Sequence, residues 1–308
     1  MIGIIYLSGT AGLRANYQPT GVTKAPRFLF AIEDRGRKPL KSPSAVLVAH
    51  GRLYVGGLGS VSMFANNGRW LGDFSLSLGE TGAYVPYAHD MALDSDGRIY
   101  VTVGPFSAVM VFDKKGRVQS GFPPPGQDTG SAQADVAPLT NPIGIYHDQV
   151  KNSILVSDVS DHTVKEYAPS GRFLSQLGEP GDKPGKFTYP NGIVTDAQGV
   201  VYVADSNNGR VQKFKDGRFE EFLEPPSDRP FVRPKALVID KLGRIHVLDT
   251  LKGMVYVFAA DGRFLFNYGG ESETEGRIAS PTDIAIDLDT GQIFIADRGS
   301  NRVLVWAN

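Results

Sequence analysis

The sequence predicts an all-β fold in which six four-stranded antiparallel sheets are arranged radially, as a six-bladed β-propeller. Three observations support this prediction: one unit of about 48 residues recurs six times, apolar and polar positions alternate within each unit, and glycine turns separate the apolar runs. Alternation with a period of two is typical of strands rather than helices. A repeat of this length is typical of the four-stranded blades of a propeller.

Each unit begins with a proline and an apolar run, and continues through a glycine turn to a second apolar run that ends near an aspartate. The unit at 189–223, YPNGIVTDAQGVVYVADSNNGRVQKFKDGRFEEFL, shows this pattern most clearly. Tyr54 and Phe294 occupy the central strand of the first and last units, 240 positions apart over five intervals, which gives a mean period of 48. The predicted blade cores are 42–74, 88–122, 141–178, 189–223, 233–269 and 280–306.

The last unit ends before its fourth strand. The fourth strand of the preceding unit contains RFLFNY at 263–268, and a similar sequence, RFLFAI, occurs at 27–32. We therefore expect 27–32 to supply the outer strand of the last blade, which closes the ring and protects two sheet edges. On this interpretation residues 26–308 form one complete propeller domain, and residues 1–25 form a tail.

The tail has two interpretations. Its most apolar stretch, MIGIIYL at 1–7, is much shorter than the roughly 20 residues that span a membrane, and its first basic residue is Arg14. It is either a flexible tail or the distal part of an anchor or secretion signal. The second interpretation predicts an extracytoplasmic or cell-surface protein with a membrane tether at its N-terminus, and the first is compatible with the cytoplasm.

The composition excludes several classes of protein. The chain has 32 Lys and Arg residues against 33 Asp and Glu residues. This balance argues against binding nucleic acid through counterion release. The chain contains no cysteine, which excludes disulfides, cysteine metal sites and cysteine nucleophiles. It also lacks the Gly-x-Ser-x-Gly motif of serine hydrolases.

The repeats resemble those of the NHL family, whose members fold as six-bladed β-propellers. The resemblance covers nearly the whole chain after Pro26. It rests on Pro190-Asn191-Gly192-Ile193, Val203-Ala204-Asp205 and Asn208-Gly209-Arg210-Val211, and on Ile295-Ala296-Asp297 and Asn301-Arg302-Val303. The first two units depart from this pattern, because Gly57 and Val103 stand where the fourth unit has Asp205. The family includes enzymes, sensors and scaffolds, so the resemblance implies the fold but does not select a function.

The alternation of strand direction assigns each loop to a face of the predicted propeller. Hairpins with short glycine turns lie on one face, and the inter-blade loops lie on the other, together with the loops that follow the second strands. We call the latter the long-loop face. It carries the longer segments 75–87, 121–140, 178–188, 224–232 and 270–279. Long, varied loops on a rigid scaffold are where binding residues concentrate.

Two sets of residues on this face are predicted to bind. The two positions after each repeat proline should surround the mouth of the central channel, where convergent polar groups are typical of a ligand site. The polar residues there are His89, Asp90, Asn191, Lys235, Thr282 and Asp283. Aromatic residues of the long loops are predicted to contact a partner, because aromatic anchors dominate interface energetics. These residues are Tyr84, Tyr87, Phe122, Phe187 and Tyr189.

A metal-dependent enzyme is the alternative. Asn191 resembles one ligand of the divalent cation in propeller lactonases similar to gluconolactonase, although Ser44 stands where their glutamate is needed. Oxygen atoms of Asp90, Asn191 and Asp283 would suit Ca²⁺ as a cofactor. NHL-repeat amidating lyases hold zinc through histidines, and only His89 and His162 are suitably placed here. Two histidines are too few for a three-histidine site.

We therefore expect a non-enzymatic NHL-repeat propeller, without catalytic residues, that binds a protein partner or a small ligand through its long-loop face. Such a domain resembles the sensor or adhesion propellers that bacteria place outside the membrane. The alternative is a divalent-metal-dependent enzyme, similar to a lactonase or lyase, that uses the channel mouth. Calcium binding at the channel mouth would distinguish the two.

Overall fold

The computed structural model describes residues 25–36, 38–77, 85–105, 107–122, 138–270 and 276–307. Strands of these residues form six four-stranded antiparallel sheets. The first strand of each sheet contacts the first strands of the sheets on either side, and the sixth sheet contacts the first. This arrangement confirms the predicted six-bladed β-propeller. The tail interpretations concern residues that lie, apart from Ala25, outside the described residues, and they stay predictions.

The 24 strands are numbered in chain order, and the sheets are called blades I to VI. The first strand of the described residues is β1 (Arg27–Ile32). Blade I contains β2 (Ala45–Ala49), β3 (Arg52–Gly56), β4 (Ser60–Ala65) and β5 (Trp70–Ser75). Blade II contains β6 (Tyr87–Leu93), β7 (Ile99–Gly104), β8 (Ala108–Phe112) and β9 (Val118–Phe122). Blade III contains β10 (Pro142–Asp148), β11 (Ser153–Asp158), β12 (Thr163–Tyr167) and β13 (Phe173–Leu177).

The remaining blades repeat the same order. Blade IV contains β14 (Pro190–Thr195), β15 (Val201–Asp205), β16 (Arg210–Lys215) and β17 (Arg218–Leu223). Blade V contains β18 (Pro234–Ile239), β19 (Ile245–Asp249), β20 (Met254–Phe258) and β21 (Phe264–Gly269). Blade VI contains β22 (Pro281–Ile286), β23 (Ile293–Asp297) and β24 (Arg302–Ala307), with β1 as its outer strand.

The closure of blade VI by the N-terminal strand is confirmed. β1 pairs with β24 in antiparallel register, with Phe28 opposite Trp306 and Ile32 opposite Val303. The Phe28 and Trp306 rings meet edge to face, with their centroids 5.9 Å apart. Because β1 covers the edge of β24, the first and last strands of the propeller are held together by a backbone ladder and an aromatic contact.

Apolar side chains fill the spaces between neighbouring blades. The described residues contain six buried apolar clusters, and each lies between two adjacent blades. Large rings in the central strands anchor them, as Tyr100, Tyr202 and Phe294 do, each with less than 2% of its surface exposed. Burial of this kind at every interface makes the ring rigid, which fixes the positions of the first strands around the channel.

Aspartates brace the inter-blade loops in blades III to VI. The second strand of each of these blades ends in a fully buried aspartate, and these residues are Asp158, Asp205, Asp249 and Asp297. Each carboxylate accepts backbone N–H groups of the preceding inter-blade segment, as Asp297 does from Ser280 at 2.8 Å. In blade I, where Gly57 replaces the aspartate, a backbone hydrogen bond from the N–H of Leu58 to the carbonyl of Lys41 links the loop to the preceding segment.

The described residues contain little helix. Two single-turn 3₁₀ helices, Ser206–Asn208 and Arg298–Ser300, follow the buried aspartates of blades IV and VI on the long-loop face. Neither of them approaches the length and apolar character of a membrane-crossing helix, and the described residues offer no other candidate. The second of these turns places Arg298 close to the channel.

Candidate functional site at the channel mouth

Irregular pairing of the first strands aims polar side chains at the channel mouth. In blades II to VI the register between the first and second strands shifts directly after the repeat proline or alanine, for example between Ala88 and Asp90 and between Pro234 and Ala236. Such an extra residue bends the strand and redirects its side chains. His89 and Lys235 occupy these extra positions, so their side chains leave the sheet and enter the mouth.

A cavity of about 220 Å³ lies on the axis of the ring. All six polar residues predicted for the mouth line it: His89, Asp90, Asn191, Lys235, Thr282 and Asp283. Further along the channel the lining becomes apolar, with residues such as Val48, Ile239 and Ile286. The sequence register therefore placed these residues correctly around one cavity, although their binding role is not tested by their position.

Asp90 and Asp283 are engaged with the backbone. The Asp90 carboxylate accepts the N–H of Met91 at 2.7 Å and the N–H of Ile145 in the next blade at 3.0 Å. Asp283 repeats this arrangement, accepting Ile284 of its own strand at 2.8 Å and Val46 of blade I at 2.7 Å. Each carboxylate thus joins two first strands, because it satisfies N–H groups that the irregular pairing leaves free.

The hydrogen-bond donors of the Asn191 and Thr282 side chains are also paired within the protein. The Asn191 amide donates to the carbonyl of Tyr189 and to the hydroxyl of Ser206, which in turn donates to the carbonyl of Pro234. The Thr282 hydroxyl donates to the carbonyl of Ala296. Both side chains therefore stabilise the inner strands and offer a ligand no free donor.

Three cationic or basic side chains at the mouth remain without a partner among the described residues. Neither Lys235 nor Arg298 forms an ion pair within 4.0 Å, and the side chains of Lys235, Arg298 and His89 make no hydrogen bond to described residues. The Arg298 guanidinium lies 5.9 Å from the centre of the Tyr87 ring, whose centroid is 4.7 Å from that of His89. Arg298, Tyr87 and His89 thus form a continuous row beside the cavity.

Burial and neighbouring charges shift the pKa values of the basic groups at the mouth. Burial, with the positive charges of Lys235 and Arg298, lowers the pKa of His89 to about 4. Burial also lowers the pKa of Lys235; the negative charges of Asp283 and Asp90 oppose this shift, and the positive charges of Arg298 and Arg233 add to it. The positive charges therefore repel one another, which disfavours the protonated forms of His89 and Lys235.

The two carboxylates shift in the opposite direction. Burial raises the pKa of Asp283 to about 7, against the stabilising effect of its two N–H donors and of Lys235. Burial and the neighbouring Asp283 raise the pKa of Asp90 well above its usual range. Two carboxylates that share a desolvated channel disfavour each other's ionised form, so they balance the positive mouth only in part.

The aromatic contacts predicted for a partner have mixed outcomes. Phe187 is the wrong choice, because it is fully buried against Phe214 in the space between blades III and IV. Tyr189 is half-buried, and its backbone N–H donates to His162. Tyr87 is half-buried beside His89. Tyr84 and the side chain of Phe122 lie outside the described residues.

Phe187 was misassigned because the segment 178–188 folds back onto blade IV. Arg210 holds it through the carbonyls of Asp182, Lys183 and Lys186, at 2.6, 2.9 and 3.0 Å. Arg298 was missed altogether, although its position directly after Asp297 in the last repeat places it on the long-loop face. That repeat position was the available signal for it.

The predicted metal site stays a prediction. The described residues contain no group of three or more His, Asp or Glu side chains arranged to hold a metal ion. All four carboxylate oxygens of Asp90 and Asp283 already accept N–H groups, and a cation would have to share them. A calorimetric titration with Ca²⁺ of the wild type and of Asp283→Ala decides whether these atoms bind it.

Profiles of known families match two parts of the chain. The NHL repeat matches residues 187–214, and a family described as a 6-bladed beta-propeller matches residues 221–307. With the six blades and their repeated first-strand geometry, these matches define the class of the molecule as a six-bladed β-propeller. Its fourth blade carries the sequence pattern of an NHL repeat, in agreement with the resemblance seen in the sequence.

Similar curated proteins are much longer than this chain. Human E3 ubiquitin-protein ligase TRIM32 is 30% identical over 149 residues, which cover 42% of this chain and 23% of that protein. Mouse peptidyl-glycine alpha-amidating monooxygenase is 23% identical over 257 residues, covering 74% of this chain and 24% of that protein. The Drosophila melanogaster protein brain tumor is 25% identical over 139 residues, covering 44% of this chain and 13% of that protein. Each match therefore spans less than a quarter of the relative.

Solved structures share the architecture at low identity. A streptogramin B lyase structure superimposes with a TM-score of 0.66 at 15% identity, covering 91% of this chain and 97% of that chain. A Bacteroides thetaiotaomicron protein of unknown function superimposes with a TM-score of 0.63 at 14% identity, covering 92% of this chain and 72% of that chain. Similarity at this level establishes the fold alone, because one fold carries many functions.

Proposed function

We propose that this propeller is a non-enzymatic binding module that receives a protein partner on its long-loop face, with the channel mouth at the centre of the contact. The observation that carries the proposal is the set of unpaired side chains at the mouth, Lys235, Arg298 and His89. Lys235 is half-buried, and an unpaired charge in a partly desolvated site is costly to the folded protein alone, whereas Arg298 is exposed to solvent. A ligand that supplies the missing partners recovers that cost, which is why such groups indicate binding.

Three arginines in the hairpins of the opposite face are neutralised locally, each by an aspartate four residues earlier. The Nε atoms of Arg98 and Arg244 lie 2.6 Å from the carboxylates of Asp94 and Asp240, and Arg117 forms the same pair with Asp113. Each aspartate also accepts backbone N–H groups of its turn. These arginines stabilise hairpins and have no need of an external partner.

Apolar side chains around the mouth supply contact area. Val232 and Leu251 lie on adjacent loops beside blade V and are 47% and 63% exposed. Leu58 and Val85 form a second exposed pair between blades I and II. An apolar rim around a polar centre would let a partner bury surface while its polar group enters the mouth.

The test compares matched surface variants on the two faces. Val232→Ser/Leu251→Ser removes apolar surface from the long-loop face, and Val150→Ser/Leu242→Ser removes it from the hairpins of the opposite face, where both side chains are also exposed. Affinity capture from native-host extract, quantified by mass spectrometry, measures which partner each variant retains.

We expect one partner to be enriched equally by the wild type and the opposite-face variant, and to be strongly depleted with the long-loop variant. Thermal denaturation of all three proteins checks that folding is unchanged. Equal capture by the two variants, or loss only with the opposite-face variant, contradicts the proposal.

A further inference from the structure

We infer that the channel mouth binds a single oxyanion group, a carboxylate or a phosphate, between Lys235, Arg298 and His89. This inference rests on the proposed function, because it names the chemical group that the bound partner would present. It adds the class of ligand and the side chains that would contact it. The four arguments for it concern the donors, the carboxylates nearby, the size of the cavity and the reach of Arg298.

The donors at the mouth are those that suit an oxyanion. Lys235 provides an ammonium group on the cavity wall, and the exposed Arg298 provides a guanidinium 5.9 Å from the centre of the nearby Tyr87 ring. His89 packs edge-on to the same ring and lines the same cavity. Charged donors form the stronger hydrogen bonds to carboxylate or phosphate oxygens, and a planar guanidinium can make two at once.

The carboxylates in the channel do not take the place of a ligand. Asp90 and Asp283 direct their oxygens to backbone N–H groups at 2.7–3.0 Å, and neither forms an ion pair with Lys235 or Arg298. Arg233, the remaining cation near Lys235, donates instead to the Asn207 side chain at 3.0 Å. The side chains of Lys235 and Arg298 are thus free to donate hydrogen bonds, whereas the carboxylates of Asp90 and Asp283 already accept them from the backbone.

The size of the cavity limits the ligand. About 220 Å³ is below the range of roughly 300–1,000 Å³ that encloses a drug-sized molecule. It is sufficient for one carboxylate or phosphate group with ordered water. The rest of the partner would therefore lie outside the cavity, on the long-loop face, and only its anionic group would enter.

The position of Arg298, which extends from blade VI to a residue of blade II, also supports an anion-binding site. Arg298 belongs to blade VI and Tyr87 to blade II, and blade I lies between them. Blade I has only Ser44 and Ala45 at its channel-mouth positions. These small side chains leave room for Arg298 to extend past blade I towards Tyr87 and His89.

The experiment uses inorganic phosphate and acetate as separate probes, titrated calorimetrically into the full chain at matched ionic strength with chloride as the reference. The binding variant is Lys235→Gln/Arg298→Gln. Its control is Lys114→Gln/Lys115→Gln, which changes the net charge equally at exposed positions of an opposite-face hairpin. Lys235→Arg keeps the charge and serves as a rescue variant should the double variant unfold.

We expect saturable binding of at least one probe to the wild type, the control and Lys235→Arg. Loss of charged hydrogen bonds should weaken binding to the double variant by about tenfold or more. Saturation by phosphate alone identifies a phosphate group, and saturation by acetate identifies a carboxylate. No saturable binding to the wild type, or equal affinity in the folded double variant, overturns the inference.

The result separates this inference from the proposed function. Anion binding that depends on Lys235 and Arg298 supports the site even if Val232→Ser/Leu251→Ser captures its partner normally. Loss of capture with that apolar variant, without any anion binding, supports the docking face and refutes the oxyanion site. The two proposals therefore fail on different measurements.

Discussion

His89 and Asp283 line the same channel, but burial moves their pKa values in opposite directions. The pKa of His89 falls from 6.5 to about 4, and that of Asp283 rises from 3.8 to about 7. As the pH falls from 7 to 4, the unfolded chain protonates His89 before the folded protein does, which lowers stability. Over the same interval the folded protein protonates Asp283 first, which raises stability. The two effects oppose each other in the wild type.

Single variants should separate these contributions. His89→Gln removes the destabilising effect. The free energy of unfolding of this variant, relative to the wild type, should therefore increase as the pH is lowered from about 7 to about 5. Asp283→Asn removes the stabilising effect. Its free energy of unfolding, relative to the wild type, should therefore decrease as the pH is lowered over the same interval. Denaturant unfolding at both pH values measures these differences. Changes of the same sign in both variants would contradict the assigned shifts.

The inner strands approach one another closely at Gly192. A Cβ at this position would lie 2.7 Å from the carbonyl oxygen of Lys235 and 2.9 Å from the Cα of Ala236, both backbone atoms of the next blade. A Cβ at Gly104 would also have its nearest contact at 2.7 Å, but with the side chain of His89. Side chains can move aside, whereas each of these two strands is held in place by the hydrogen bonds of its own blade.

This difference predicts unequal costs for two identical substitutions. Gly192→Ala should lower the free energy of unfolding by about 2–3 kcal/mol, and Gly104→Ala by about 1 kcal/mol, because overpacking against backbone leaves little room to relax. Gly104→Ala should also weaken oxyanion binding, since it displaces the ring of His89. Denaturant unfolding and the phosphate and acetate titrations measure both effects. Equal costs would show that the blades adjust freely at the channel.

The closing strand β1 offers a second test of element packing. Phe28 packs on Trp306 and is half-buried, whereas the neighbouring Leu29 points outward and is 39% exposed. Phe28→Ala should cost about 2 kcal/mol, less than full burial of a phenylalanine would imply. Leu29→Ala should stay within about 0.5 kcal/mol of the wild type. Similar losses in the two variants would argue against the register of β1.

At the scale of the whole molecule, the sequence predicts whatever each repeat encodes locally. The period of strands and turns gave six blades, the RFLFAI segment gave the closing strand, and the position after each repeat proline gave the channel residues. These features follow from short-range patterns that recur six times. Because the pattern is repeated, the architecture can be predicted from the sequence without knowledge of any long-range contact.

Features that depend on contacts between distant residues were not predictable in this way. The approach of Arg298 to Tyr87 joins blades VI and II across blade I, and no local pattern encodes it. Phe187 looked like a loop residue, but the segment 178–188 folds back and buries its ring. The hydrogen bonds that occupy Asn191 and Asp90 depend equally on neighbouring elements. Local patterns therefore identified the residues that line the channel mouth, but not which of their polar groups are available to bind a ligand.

The central claim is that the channel mouth on the long-loop face binds an anionic group of a partner. Anomalous diffraction from crystals soaked in selenate, an isostere of tetrahedral oxyanions, tests it most directly. We predict an anomalous peak on the channel axis within hydrogen-bonding distance of Lys235 and Arg298, and none in crystals of Lys235→Gln/Arg298→Gln. A wild-type map with no peak at the mouth, or with peaks only at the arginines of the opposite face, would contradict the account.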